Sequence, residues 1–300
     1  MAYIFCAGCA FPVISSHAGT PVIPPSYGVN DGRVTVSFLD VGQGDSALIL
    51  FNGTTILIDA GEADDGPGIV TYLKRQGVRD IDLLIATHPH YDHIGGMQEV
   101  LENFNVRRVI DSGIPYTTTT YQKFLETIDR KDIPYRTARQ GDSFSPAPGL
   151  TMLVLSAPDG SDEQDTKDGS IVIRVSYGRV NILFEGDAGT AAEESMIYSG
   201  LPLESQVLKV AHHGSSYGTG RAFLELVQPE AAIISVGAGN PYNFPAGDAM
   251  SRLGDTGALI FRTDTAGTIV VRTDGMTFSV ETAKDGMYPF VTSTPVSAPA

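Results

Sequence analysis

Thr87-His88-Pro89-His90-Tyr91-Asp92-His93, closed by Ile94-Gly95-Gly96, is the stretch on which the reading of this chain turns. Three imidazoles and a carboxylate are crowded into it. It follows Ile81-Asp82-Leu83-Leu84-Ile85-Ala86, a short, continuous, aliphatic run of the kind that forms a buried strand. Behind it, Ile94, Met97, Val100 and Leu101 recur at helical spacing. The cluster is therefore expected on a turn at the carboxyl end of a strand, entering a helix. Open α/β sheets place their ligands at such strand ends. His88 and His90, two apart on an extended turn, can point one way, while Asp92 and His93 swing aside as the helix begins. Imidazole with carboxylate suits zinc, iron, manganese or nickel better than calcium. The alternative is a polar loop with chance histidines, and it fails on counting: of the six His, only His17 lies outside this cluster and the His212-His213 pair.

A chain of 300 residues with 42% hydrophobic side chains can bury one large α/β core. No apolar run is long enough for a polytopic membrane protein. The formal charge of −15 argues against a basic grip on nucleic acid. A metal site could still attract a phosphodiester, and the acidic surface is read equally well as a solubility device. Cys6 and Cys9 are the only cysteines, so the folded body has no disulfide and no thiolate ligand, and nitrogen and oxygen must hold any metal.

Residues 1–32 read as a leader and linker. The first fifteen are apolar and uncharged, and Ala7-Gly8-Cys9 resembles the end of a lipoprotein signal, with Cys9 as a membrane tether. Export and anchoring are the expectation from that, with a cytoplasmic protein as the alternative. Residues 33–283 read as one domain. Strands are expected at Val34–Phe38, Ala47–Phe51 and Thr55–Ile58, the last two joined by the tight-turn pair Asn52-Gly53. A helix follows from Ile69 to Arg75. The second half repeats this order, because Ile182-Leu183-Phe184-Glu185-Gly186-Asp187-Ala188-Gly189 echoes Ile56-Leu57-Ile58-Asp59-Ala60-Gly61. A helix near Ala191 to Tyr198 and a strand from Gln206 to Val210 then lead to His212-His213. Each half is thus a strand ending in Asp, a crossover helix and a strand ending in His. Such symmetry points to two β-sheets packed face to face with helices outside. The segment before residue 150 is expected to hold a strand (Val106 to Ile110), a helix (Tyr121 to Asp129) and a turn-rich link. Helices at Ala222 to Val227 and Ala246 to Arg252 and strands at Ala231 to Val236, Gly267 to Arg272 and Met276 to Glu281 complete the domain. Residues 284–300, rich in Thr, Ser and Pro, are expected to be a disordered tail.

The motif at residues 87–93 resembles the HxHxDH signature of the metallo-β-lactamase superfamily. Asp59 matches that superfamily's first motif, Asp187 its bridging aspartate, and His212-His213 its last histidine. Leu39-Asp40-Val41-Gly42-Gln43-Gly44-Asp45-Ser46, Lys209-Val210-Ala211-His212-His213-Gly214-Ser215 and the closing Thr263 to Gly275 look like the hydrolase domain of ComEC-type competence proteins, here without the transmembrane channel segment. The resemblance implies an αββα sandwich of two mixed sheets. It also implies two divalent metal ions, zinc or manganese, that cleave phosphodiesters with a metal-activated hydroxide. One ion would be held by His88 and His90, the other by Asp92, His93 and one of His212 or His213. Asp187 would bridge the two ions, and Asp92 and Asp187 would position the hydroxide. Asp59 would orient a ligating histidine.

Two departures from the family pattern stand out. No histidine lies between His93 and His212, and Asp168-Gly169-Ser170 occupies the place where members with two tight zinc sites carry one. Asp168 or Ser170 could supply an oxygen, which favours manganese, while the imidazoles keep zinc open. The family's Asn-x-Tyr-x-His-Pro phrase appears as Asn240-Pro241-Tyr242-Asn243-Phe244-Pro245, so Phe244 stands where a histidine could contact phosphate or protonate a leaving group. Lys209, Asn240 and Tyr242 are the candidate substrate contacts. Gly42-Gln43-Gly44-Asp45 is read as a rim loop of the site or as a plain turn. The expected activity is a phosphodiesterase or nuclease, possible partners being DNA or a smaller phosphodiester. The alternatives are a thioester or lactam hydrolase, or a binding module with a vestigial metal site.

Overall fold

The computed structural model describes residues 32–158, 169–284 and 286–291. The first half opens with an antiparallel meander, β1 (Val34–Phe38), β2 (Ala47–Phe51) and β3 (Thr54–Ile58). Asn52 and Gly53 turn β2 into β3 with φ of 48° and 83°, the left-handed pair that a two-residue hairpin requires. From β3 the chain crosses through α1 (Gly66–Arg75) and the two-residue β4 (Asp80–Ile81) to β5 (Leu83–Ala86), parallel to β3. Then follow α2 (Tyr91–Ile94), α3 (Met97–Asn103), the short β6 (Asn105–Val106) paired with β4, β7 (Val109–Asp111), α4 (Thr119–Arg130) and β8 (Tyr135–Thr137).

The second half has the same plan. An antiparallel meander of β9 (Ser143–Ala147), β10 (Leu150–Ser156), β11 (Val172–Tyr177) and β12 (Val180–Phe184) precedes parallel crossovers. These run through α5 (Thr190–Ser199) to β13 (Val207–Lys209), α6 (Arg221–Val227) to β14 (Ala231–Ile234), and α7 (Gly247–Asp255) to β15 (Leu259–Arg262). The short helix α8 (Thr263–Ala266) returns the chain to the first sheet as β16 (Ile269–Thr273), β17 (Phe278–Thr282) and β18 (Gly286–Val291). Nine strands in the order β18-β17-β16-β1-β2-β3-β5-β7-β8 form one sheet, and seven in the order β15-β14-β13-β12-β11-β10-β9 form the other.

Strand alternation assigns each apolar face. In β3, Ile56 and Ile58 enter the core between the sheets, while Leu57 packs outward with Ile69, Leu73 and Phe124 of α1 and α4. In β12, Ile182 and Phe184 face the first sheet, and Leu183 faces Met196 and Phe223 of α5 and α6. Both faces of β3 and β12 are thereby covered, which is why these strands read as continuous aliphatic runs. The result is the expected four-layer αββα sandwich.

Three stretches differ from expectation. The single helix expected to begin at Asp92 and His93 is two helices, α2 and α3, parted at Gly95-Gly96, where a Cβ on Gly96 would overlap the Ala60 carbonyl oxygen. The link around residue 150 carries a full hairpin. In β10, Leu150, Met152 and Val154 turn inward to the inter-sheet core, and Leu153 and Leu155 turn outward. Beyond Lys284, where a structureless tail is expected, β18 adds an edge strand antiparallel to β17. The leader with Cys6, Cys9 and His17, and Asp168, lie outside the described residues.

Candidate metal centre

Four strand ends meet at one edge of the sandwich. Asp59 follows β3, His88 follows β5, Asp187 follows β12 and His212-His213 follow β13. Because β3 and β5 are parallel neighbours, as are β12 and β13, each half delivers an acid and an imidazole side by side. The facing of the sheets then joins the two halves.

Asp187 lies at the middle, 3% exposed. Its Oδ1 is 3.2 Å from His93 Nε2 and 3.9 Å from His213 Nε2. Its Oδ2 is 3.7 Å from His88 Nε2 and 3.7 Å from His212 Nε2. Asp92 closes the first side, with Oδ2 3.1 Å from His213 Nε2 and 3.9 Å from His93 Nε2. His90 closes the second, its Nδ1 3.0 Å from His88 Nε2. Two donor sets therefore share one carboxylate: Asp92, His93, His213 and Asp187 on one side, His88, His90 and Asp187 on the other.

The surroundings hold these rings in orientation. Asp59 Oδ2 is 2.9 Å from His93 Nδ1, and Asp59 is itself fixed by the Thr87 hydroxyl (2.6 Å) and the Thr87 backbone N–H (2.9 Å). Asp59 holds φ at 57°, a left-handed conformation that Asp tolerates better than most side chains. His213 Nδ1 lies 3.0 Å from the Ser235 carbonyl, which can only accept, so Nδ1 carries a proton and the neutral ring would offer Nε2 toward Asp92 and Asp187. His212 and His213 both take left-handed φ, 45° and 54°. That backbone costs about 1–3 kcal/mol per residue, and it splays the two rings 82° apart to opposite sides of Asp187.

Electrostatics mark the cluster as short of positive charge. Burial pushes His93 down, but Asp187, Asp59 and Asp92 more than reverse this and hold it well above the usual histidine range. His213 is raised to about 9: burial opposes the rise, and Asp187, Asp45 and Asp92 drive it. Burial raises Asp187, and His93, His213 and His88 overcome it and hold the carboxyl well below its usual value. His88 is pushed well below by burial and by its neighbour His93. His93 Nε2 and Asp187 Oδ1 are buried and lack a hydrogen-bond partner among the described residues, although they face each other. Buried polar atoms are seldom left so. A divalent cation coordinated by nitrogen and oxygen satisfies both, and the residues present fit one on each side of Asp187.

The metallo-beta-lactamase superfamily model matches residues 39–238, which include every one of these donors. The chain belongs to the metallo-beta-lactamase superfamily. It is 29% identical over 255 residues to ComE operon protein 3 of Bacillus subtilis, covering 79% of this chain and 33% of that protein. It is 32% identical over 249 residues to competence protein ComA of Neisseria gonorrhoeae, covering 82% and 33%. It is 33% identical over 223 residues to recombination protein 2 of Haemophilus influenzae, covering 73% and 26%. The chain thus spans about a third of the length of these relatives or less. Among solved structures, the metallo hydrolase Igni18 of Ignicoccus hospitalis superposes with a TM-score of 0.53 at 19% identity, covering 79% of this chain and 98% of that one. YhfI of Bacillus subtilis, a metallo-beta-lactamase fold protein, gives 0.54 at 12% identity, covering 80% and 99%. These two likenesses are to the fold, the metallo-beta-lactamase sandwich.

Within this superfamily framework, several expected contacts are placed differently. Lys209 is buried rather than open to solvent. It is 3% exposed, ion-paired with Asp45, and its Nζ donates to the Val210 carbonyl at 2.9 Å. Asp45 is buried rather than on a rim, and its Oδ1 lies 3.5 Å from His213 Nδ1. Asn240 is engaged within its own loop. Its Oδ1 accepts from the backbone N–H groups of Tyr242 (3.1 Å) and Phe244 (3.0 Å), and its Nδ2 donates to the carbonyls of Gly237 (3.0 Å) and Phe244 (2.8 Å). It is the clasp of its own loop. Ser170 Oγ accepts the Asp187 N–H at 3.2 Å, so it positions that loop. Tyr242 is exposed beside the site.

Glu185 and Thr219 escaped the sequence reading. The fully buried Glu185 carboxylate accepts from Ala211 N (3.1 Å) and Thr219 Oγ1 (3.0 Å), tying the strand end before Asp187 to the turn that carries His212 and His213. An acid immediately after an aliphatic strand and before Gly186 was the available signal.

Proposed function

We propose that this chain hydrolyses phosphodiester bonds with two divalent cations, zinc or manganese, held on either side of Asp187. The observation that carries the reading is the shared carboxylate, with His93 Nε2 at 3.2 Å from one oxygen and His88 Nε2 at 3.7 Å from the other. The first cation would be held by Asp92, His93, His213 and Asp187, the second by His88, His90 and Asp187. His212, 3.7 Å from Asp187 Oδ2, stands beside the second set. When bound, such a pair polarises phosphoryl oxygens and makes water nucleophilic at neutral pH.

The residues themselves do the rest. Asp59 and the Ser235 carbonyl keep His93 and His213 in register, so that no reorganisation is needed as charge develops. Asp92 and Asp187, held ionised by the surrounding imidazoles, would position the attacking water. Sequence likeness to competence and recombination proteins supports a phosphodiester, DNA among them, over a thioester or lactam. We also propose export with a lipid tether at Cys9, which mass spectrometry of the mature protein would test.

The test of the activity is turnover of a chromogenic phosphodiester by protein purified without chelator, with its metal content measured alongside. Activity that falls at least 100-fold in Asp187→Ala, disappears with chelator and returns with manganese or zinc is the expected result. A panel in which only the thioester or the β-lactam turns over sinks the phosphodiester reading. Phe244 favours a second reading, a binding module that retains metal without turnover, and metal content without hydrolysis of any panel member would establish it.

A further inference from the structure

One wall of the site is aromatic. Asn240 pins the loop from Gly237 to Ala246 through its four hydrogen bonds, and that fixed loop presents Tyr242 and Phe244 as a stacked pair, ring centres 5.6 Å apart and planes 23° from parallel. Phe244 in turn meets His212 edge-on at 5.7 Å. His212 Nε2 is 3.7 Å from Asp187 Oδ2, so the stack begins one ring away from the donor cluster. Tyr242 is 62% exposed, although a solvent-facing stacked aromatic does nothing for the core. On the far side, Tyr116 packs against His90 at 5.7 Å.

The wall also lacks charge. Residues 237–247 contain no Lys, Arg, Asp or Glu. The nearby Arg252 is spent on the carbonyls of Thr219 (3.1 Å), Gly218 (2.9 Å) and Ser216 (3.3 Å), and Lys209 is sealed in its pair with Asp45. Among the described residues a phosphate chain therefore finds no cationic track along this wall, while any flat π face finds a prepared surface.

We propose that Tyr242 and Phe244 form a stacking platform for the nucleobase next to the scissile phosphate, making the preferred substrate an unpaired nucleotide strand rather than a duplex or a simple alkyl phosphodiester. This rests on the phosphodiesterase reading above. Base–aromatic stacking tolerates any base, because each has a π face. A base inside a duplex is already stacked on its neighbours and cannot use the platform. Grip by stacking in place of side-chain cations also implies shallow salt dependence, since few counterions are released.

The experiment compares a thymidine dinucleotide with the same phosphodiester carrying an abasic sugar, in the metal-loaded protein, by kcat/KM and by equilibrium binding with calcium replacing the native metal. The expected base-over-abasic preference is about tenfold in both, in line with one stacked base. It should fall toward one in Tyr242→Ala and Phe244→Leu, and persist in Tyr242→Phe. Tyr242 is solvent-facing, so its truncation leaves the fold intact, and a melting curve checks this. Hydrolysis of both substrates without preference, or a preference untouched by either variant, overturns the platform and leaves the phosphodiesterase reading standing. A base preference in binding that the variants abolish, with neither substrate cleaved, supports the platform and removes the phosphodiesterase reading instead.

Discussion

Asp59 follows the end of β3 and His93 lies in α2, yet their buried side chains meet at 2.9 Å. The carboxylate takes the Nδ1 side of the ring, and Nε2 is left to face Asp187. Replacing Asp59 by Asn preserves a residue that accepts the left-handed backbone but weakens the hold on the ring. Metal affinity is expected to fall about 10–100-fold in Asp59→Asn, measured by competition with a chromogenic chelator. Asp59→Ala should lose a further ~1 kcal/mol of stability from backbone strain. Unchanged affinity in both would show that His93 needs no orienting partner.

The buried pair of Lys209 and Asp45 has a pH signature. Burial raises the Asp45 carboxyl, and Lys209, with help from His213, more than offsets it and lowers the value from 3.8 to about 2. A depressed carboxyl contributes stability above its unfolded value, and that contribution is lost as pH falls from about 4 to 2. In Lys209→Met the largest part of the offset is lost, so stability at pH 7 should drop by about 3–5 kcal/mol. The acid limb should flatten or reverse, because burial now raises the carboxyl. The double variant Asp45→Asn/Lys209→Met should recover much of the loss. Urea melts across the pH series read all three.

Phe244→His places an ionisable ring where the resembled competence domains carry one, against His212. A positioned general acid contributes about 10²–10⁴-fold when the leaving group needs a proton. The gain in kcat should therefore be at least tenfold for an alkyl leaving group and small for p-nitrophenolate. Equal gains on both would mean that the new ring acts on binding, not on proton transfer.

Gly96 and Gly68 make a matched pair of tests. A Cβ at Gly96 overlaps the Ala60 carbonyl oxygen, so Gly96→Ala must part the loop after Asp59 from the helix after His93. A Cβ at Gly68, in α1, meets nothing within 4 Å. Gly68→Ala should stabilise by about 0.5–1 kcal/mol, whereas Gly96→Ala should destabilise and lower metal retention. Thermal melts with metal analysis distinguish them. A neutral Gly96→Ala would show that this approach is loose.

Much of the molecule was legible in residue order alone. The histidine cluster, the two Asp-to-His halves and the facing sheets follow from local patterns: aliphatic runs that must be buried, and polar groups that end them. The β9–β10 hairpin was missed because Pro146 and the glycines around it read as turn, while its inward face forms only against β11 and the opposite sheet. The burial of Lys209 was hidden for a related reason. A lysine in a strand is read as solvent-facing unless a buried partner such as Asp45 is known, and that partner is supplied by the other half of the chain.

Sequence by itself determined which residue types stand at the strand ends, and hence the family, the layer order and the chemistry of nitrogen and oxygen donors. Tertiary structure decided the pairing: that His213 rather than His212 joins Asp92 and His93, that Asp187 lies between both sets, and that Asn240 serves its loop. The physical reason is that donor identity is a local property of the chain. Distances between donors depend on how two separately wound sheets are packed, and on two left-handed histidines whose angles no spacing rule records.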